Sequence, residues 1–170
     1  MVALTLPGLI SMALVVLASG AAAQGRQRCT VVTLTDPPRD VVRCPGVSFE
    51  AESKARHKLI DGNRDGTPES AHVTGGVVLI EVEGRPRGGF QILTPHATAA
   101  VRGTTYAVDV QQTQTSVFVA EGRVAVRDAQ THDRVVLGAG QGVDVIPGEP
   151  LEVKTWSQQR ARRLLARFGR

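Results

Sequence analysis

Aromatic side chains are scarce in this chain, with one Trp, one Tyr and four Phe making up 4% of 170 residues. Val and Gly are abundant instead, a combination that fits β-branched strands separated by glycine turns better than a helical bundle. Cysteine is nearly missing too. Cys29 and Cys44 stand alone, and a redox pair or a zinc site would need closer spacing or more ligands. Acidic residues are absent from Thr155 to Arg170, which holds five Arg, whereas Ala71 to Val153 carries six Arg against nine Asp and Glu. The net charge of +4 therefore belongs to the tail. Nucleic-acid recognition would call for a basic face on the folded body, so no nucleic-acid partner is expected.

The one long apolar run, Leu4 to Leu17, is too short for a membrane span of about 20 apolar residues. It is followed by Ser19-Gly20 and the small-residue site Ala21-Ala22-Ala23, the pattern of an export signal cleaved after Ala23. No Lys or Arg precedes the run, but the Ala-rich site sits at the right distance, which favours a cleaved signal over an uncleaved anchor. No Cys follows Leu17-Ala18-Ser19-Gly20, so a lipoprotein anchor is not expected. A periplasmic location follows as the expectation. In an exported chain Cys29 and Cys44 are expected to pair, closing a loop worth about 3 kcal/mol in the chain-entropy model.

Strands are expected at Cys29 to Leu34 and Val41 to Cys44, around the breaker Asp36-Pro37-Pro38, giving a disulfide-clipped hairpin. Ser48 to Ile60 mixes alternation with helix-forming residues and is read as strand. From Val77 the pattern is regular: Val77 to Val82, Gly89 to Leu93, Ala99 to Arg102, Thr105 to Val110, Ser116 to Ala120, Arg123 to Arg127, Arg134 to Leu137 and Gly142 to Ile146. Tyr106, Val108 and Val110 share one face, with Ala107, Asp109 and Gln111 on the other. The expected fold is all-β, a single β-sandwich or a short β-solenoid, with one C-terminal amphipathic helix.

That helix is expected to run for about 13 residues, capped by Thr155 or Ser157. Trp156, Ala161, Leu164, Leu165 and Phe168 form its apolar side, and Arg162, Arg163, Arg167 and Arg170 point away from it. Packing on the β-body is the default reading; the alternative holds the chain to an anionic lipid or polymer surface through this helix. The chain divides into signal peptide (1–23), N-terminal β extension (24–70), β-domain (71–150) and basic helix (151–170).

Asp61-Gly62-Asn63-Arg64-Asp65-Gly66-Thr67-Pro68-Glu69 places oxygens at alternate positions, as short calcium loops do through Asp61, Asn63, Asp65 and Glu69. His72 stands at the twelfth position, where such a loop has Glu, and Asp, Asn and Gly are also what any turn prefers. The histidines His57, His72, His96 and His132 are scattered without metal-ligand spacing. No serine sits on a strand-to-helix elbow with acid and base partners, so no catalytic residues, metal or cofactor are assigned and an enzyme is not expected.

The phrase TPHATAAVRGTTYAVDV, Thr94 to Val110, followed by TSVFVAEGRVAV and LGAGQGVDV, resembles the core of the FecR domain, over Val77 to Ile146. The resemblance implies a bacterial periplasmic β-module. Arg102-Gly103-Thr104 lies at its centre, the glycine permitting a bend between strands. Arg102 would need a carboxylate if half buried, with Asp109 and Glu121 available, or would face an anionic ligand. His96, beside Pro95, is the histidine within the phrase. FecR regulators couple a cytoplasmic sigma-factor-binding segment through a membrane helix to a periplasmic receiver. An exported chain could not reach a cytoplasmic sigma factor, so the expectation is a non-enzymatic binding, sensing or scaffold module with a protein partner in the cell envelope.

Overall fold

A computed structural model describes residues 29–84, 89–101 and 103–170. The signal peptide and Arg102 lie outside the described residues. The first strands are β1 (Thr30–Thr35), β2 (Pro38–Cys44), β3 (Val47–Glu52) and β4 (Arg56–Ile60). They lead into the long β5 (Ser70–Val82), then β6 (Phe90–Leu93), β7 (Ala97–Val101) and β8 (Thr104–Val110). The body closes with β9 (Thr115–Glu121), β10 (Arg123–Asp128), β11 (Arg134–Gly138), β12 (Gln141–Val145) and the short β13 (Lys154–Thr155). A single helix, α1 (Gln158–Leu165), and a 3₁₀ turn at Ala166–Phe168 follow.

One strand belongs to two layers. The first half of β5 pairs with β4 and β6, while its second half, from Gly76, pairs with β3 and β8. Gly76 takes φ of +83° where the strand changes layer, a conformation that a residue with a Cβ adopts only under strain. A Cβ there would also stand 2.6 Å from Ala55 Cα. The first layer runs β1-β2-β3-β5-β8-β9-β12-β13 and the second β4-β5-β6-β7-β10-β11. β5–β6 is the parallel pair; the other ladders are antiparallel. The result is one curled sheet whose halves face each other, with β10 and β11 packed on β8, β9 and β12.

Period-two alternation sorts the side chains. Phe49, Ile80, Tyr106, Val108, Val117 and Val143 from the first layer meet Val73, Phe90, Ile92, Val124, Val126 and Leu137 from the second in one buried core. Tyr106 is fully buried, and burial pushes its phenol far above its ordinary value, so it stays neutral. Ala107 and Asp109 fall on the opposite face of β8, as the alternation predicts.

The all-β body with one terminal helix is as the sequence led us to expect, and several boundaries move. β5 starts at Ser70 instead of Val77, because His72 and Thr74 supply the exposed positions of an alternating strand. Ser48 to Ile60 becomes two strands, parted at Ser53–Lys54 where the Ala55 amide bonds the Glu52 carbonyl at 2.8 Å. The helix is capped by Ser157 but is 8 residues long, giving way to the 3₁₀ turn and to Gly169 at φ +73°.

The Cys29–Cys44 disulfide clips the β1–β2 hairpin at its outer ends, with a Cα separation of 4.2 Å. β1 pairs with β2 alone and is mostly exposed, so the clip is its main tether. Replacing both cysteines by serine is expected to speed amide exchange of Val31–Leu34 by roughly a hundredfold, the equivalent of about 3 kcal/mol, and to leave β8 and β9 unchanged. Equal acceleration throughout the body would contradict a local tether. A second test concerns Gly122, which holds φ +84° with its missing Cβ only 2.5 Å from the Gly103 carbonyl oxygen. Gly140, at φ +78°, has nothing within 4 Å of that position. Gly122→Ala is expected to cost about 3 kcal/mol or more in urea unfolding, against about 1–2 kcal/mol for Gly140→Ala.

Candidate binding site

The turns of the FecR-like phrase sit at opposite ends of β7. At one end, Gly103 turns the chain at φ +59°, and Thr104 Oγ1 donates to the Arg123 carbonyl at 3.0 Å, tying this turn to β10. Gly103 and Thr104 line a shallow cleft with Glu81, Glu83 and Glu121. Of the two carboxylates considered for Arg102, Glu121 lies at this end and Asp109 at the other end of β8. At the far end of β7, Thr94 Oγ1 accepts from the amides of His96 and Ala97, closing the turn. His96 Nδ1 lies 3.0 Å from Thr115 Oγ1, fastening the turn to the start of β9. His96 thus stands in a hydrogen-bonded corner, away from Gly103 and Thr104.

The Asp61 to Glu69 loop turns its oxygens onto its own backbone. Asp61 accepts from the amides of Asp65 and Gly66, Asn63 from that of Asp65, Asp65 from that of Thr67, and Glu69 from those of Gly62 and Asn63. These bonds are what Asp and Asn supply in any tight loop.

The most developed polar site lies where the helix crosses the outer face of the first layer. Strand register sets two rows there. Glu50, Leu79, Ala107, Phe118 and Gly142 follow one another across β3, β5, β8, β9 and β12. The neighbouring row holds Val77, Asp109, Ser116 and Asp144, with Glu52 at the β3 end. The helix covers the apolar part of these rows: Trp156, Leu164 and Phe168 are buried on Val77, Leu79, Ala107 and Phe118. Trp156 stacks on Phe118 with ring centroids 5.0 Å apart, and the Arg160 guanidinium lies over the indole, 3.5 Å from the ring centroid. Its indole fits because residue 142 is Gly; a Cβ there would stand 2.5 Å from Trp156 Cε2 and 2.7 Å from the Val117 carbonyl oxygen.

Carboxylates of the sheet meet the arginines of the tail around that apolar patch. Asp144 receives two hydrogen bonds from Arg160, at 2.5 and 3.1 Å, and one from Ser116 at 2.6 Å. Arg167 reaches Glu52 at 2.7 Å and Asp109 at 3.7 Å. Arg170 pairs with Glu50 at 2.9 Å and also with Glu81, and Arg39 bonds the other Glu50 oxygen at 2.8 Å. The expectation that Arg167 and Arg170 point away from the packed side is therefore corrected. The helix ends in a 3₁₀ turn, which swings both onto the sheet.

Magnitudes decide what holds the tail. Half-exposed ion pairs contribute about 0–1 kcal/mol each, whereas a buried Trp, Leu or Phe contributes roughly 1.5–3 kcal/mol. The apolar trio supplies the attachment and the arginines set its orientation. Three tail arginines, Arg160, Arg167 and Arg170, are thereby engaged by the protein's own carboxylates, and the aromatic side chains needed for membrane contact are buried. The anionic-surface reading of the helix loses its support. Beside the helix remains a cleft of about 220 Å³ lined by Gln111, Gln114, Arg163 and Arg167 among others.

Sequence reading missed Glu50, Glu52, Glu81 and Asp144 as partners of the tail. Their signal was an acid-free tail rich in Arg, beside strands that carry acids at alternate outer positions such as Glu50 and Glu52.

Residues 46–125 match the FecR family, described as FecR protein, so this part of the chain is a FecR domain. The match takes in β3 and β4, which precede the segment read as FecR-like from the sequence, and leaves out β11 and β12. Two crystal structures described as an anti-sigma factor from Parabacteroides distasonis, at 1.65 and 2.50 Å resolution, share the fold. Their TM-scores are 0.51 and 0.50 at 21% and 19% identity, over 82% of this chain. The chain spans 61% of the length of those proteins. No curated protein matches it.

Asp144 and Asp109 respond to acid in opposite senses. Burial works to raise the Asp144 carboxyl, but the bonds from Arg160 and Ser116 outweigh it and hold the group below the usual carboxylate range. At Asp109 burial prevails and raises the carboxyl, with the Gln111 hydrogen bond and the Arg167 charge offsetting only part. A lowered folded pKa stabilises above the unfolded value, and that stability is lost as pH falls through the folded one. A raised folded pKa weakens the fold at neutral pH, and the penalty lifts on acidification. Asp144→Asn is expected to lower stability at pH 7 by about 1 kcal/mol or less. Asp109→Asn should leave it unchanged or raise it, and the Asp144→Asn loss should vanish well below about pH 3.9. Urea midpoints across pH measure both, and a larger neutral-pH loss in Asp109→Asn would contradict the assignment.

Proposed function

We propose that this protein is a non-enzymatic binding module of a signalling or regulatory system in the bacterial cell envelope, working in the periplasm by contact with a protein partner. The observation that carries the reading is the FecR domain match over residues 46–125, whose described elements are all strands, from β3 into β10. A rigid curled sheet presents broad, fixed surfaces and edges, which suit recognition of another chain. Two sheet carboxylates with shifted acidity, Asp144 and Asp109, are engaged by Arg160 and Arg167 of the protein's own tail. Such groups orient a helix and need no substrate to account for them. The structural neighbours described as an anti-sigma factor agree with a regulatory setting through their fold alone.

The test uses the full chain in living cells. An alkaline phosphatase fusion to the C-terminus is expected to be active, as export requires, and photo-cross-linking of the unfused chain is expected to yield discrete adducts with a protein. An inactive but stable fusion would overturn the location. Recovery of the chain only uncoupled, or coupled only to lipid, would overturn the partner.

A further inference from the structure

The two outer faces of the curled sheet differ in charge. On the first layer the acids Glu50, Glu52, Glu81, Asp109 and Asp144 are met by Arg39 and the tail. No helix among the described residues lies over the outer face of the second layer, which carries Arg56, Lys58, Arg123, Arg127 and Arg134, all exposed. Among the described residues of β4, β6, β7, β10, β11 and the first half of β5 the one acid is Asp128, which is 3% exposed and accepts from the amides of Gln130 and Thr131. Arg123, Arg127 and Arg134 form no ion pair among the described residues. Of the flanking acids, Asp133 accepts from Thr131 and Glu69 from the loop amides, and Glu121 lies exposed at the end of β9 beside the Gly103–Thr104 cleft.

Register builds a groove on this face. Gln91, Ala100, Ala125 and Val136 follow one another across β6, β7, β10 and β11. The next row on one side holds Thr98, Arg127 and Arg134, and on the other side Arg123 opposes Gly138. Small residues thus floor a shallow groove of about 370 Å³ that runs across the strands between arginines. Arg123 and Arg127 are four residues apart on one strand, roughly 13 Å at the usual rise, which leaves room for one extended chain between them.

We propose that this groove is the docking surface for an acidic, extended segment of a protein partner, its carboxylates meeting Arg123 on one side and Arg127 and Arg134 on the other. The proposal rests on the protein-partner reading above and gives it a surface. Charge complementarity selects an acidic occupant. Aromatic placement selects a peptide over other polyanions. Trp156, Tyr106 and all four Phe, Phe49, Phe90, Phe118 and Phe168, are at most 9% exposed. Hence no aromatic ring is available to insert into a lipid headgroup layer or to stack on unpaired bases. Arginine forks match carboxylates bidentately, and the alanine floor lets a backbone approach closely.

Fluorescence anisotropy with the full chain tests this, using a short fluorescein-labelled peptide of alternating Glu and Ala, its Lys-Ala counterpart, phosphatidylglycerol vesicles and duplex DNA. The Glu-Ala peptide is expected to bind, more weakly as salt rises. Affinity should fall at least about tenfold in an Arg123→Gln, Arg127→Gln, Arg134→Gln variant and also in Ala125→Glu. It should stay within about twofold in Arg162→Gln, Arg163→Gln, with thermal melting confirming that each variant folds. No binding of the Glu-Ala peptide, equal binding by the triple variant, or vesicles or DNA bound as tightly through the same arginines would each overturn the proposal. A photo-cross-linking residue at Val136 separates this from the broader reading. Protein adducts formed elsewhere on the chain but not at Val136 would sink the groove and leave the partner standing, whereas no protein adduct at any site would remove both.

Discussion

The structure depends on β5 serving both layers. A strand of 13 residues that pairs with β4 and β6 over its first half and with β3 and β8 over its second forces the sheet to curl where it changes partners. The curl brings two alternating faces together, so Val73 near one end and Ile80 near the other enter the same core. It also fixes which faces are left outside. One of them, carrying Leu79, Ala107 and Phe118, is too apolar to leave bare, and the terminal helix covers it.

Covering that face redistributes the charge of the whole molecule. The tail's arginines come to rest on Asp144, Glu52, Asp109, Glu50 and Glu81, where their charge is locally balanced. The net positive charge of the chain then shows on the opposite side, through Arg123, Arg127 and Arg134 and through Arg56 and Lys58 on β4. A basic tail therefore does not make a basic end. Its attachment neutralises the acidic outer face of the first layer, and the far sheet face, whose exposed arginines lie on β10 and β11, is left as the cationic one.

Much of the fold could be read in advance, for physical reasons visible in individual residues. Tyr106, Val108 and Val110 alternate with Ala107 and Asp109, so β8 declares both its existence and its two faces. Ser157 precedes a run of helix-forming residues and caps it through the Arg160 amide, as a short hydroxyl side chain does. The start of β5 was harder to see, since exposed His72 and Thr74 between Ala71 and Val73 mimic a loop when the paired strands β4 and β6 are not in view. The groove on the second layer was not legible at all. Ala100 and Ala125 are 25 positions apart, and only the β7–β10 pairing makes them neighbours.

Alternation, turn residues and the two cysteines by themselves determined an all-β body, its clipped hairpin and an amphipathic end, because these depend on neighbours within a few positions along the chain. Which carboxylates the tail would meet, and hence which face would keep its positive charge, was decided only by tertiary structure. That outcome turns on the curl at β5 and on distances between strands far apart in sequence, and charges interact through space with no regard for the order in which the chain lists them.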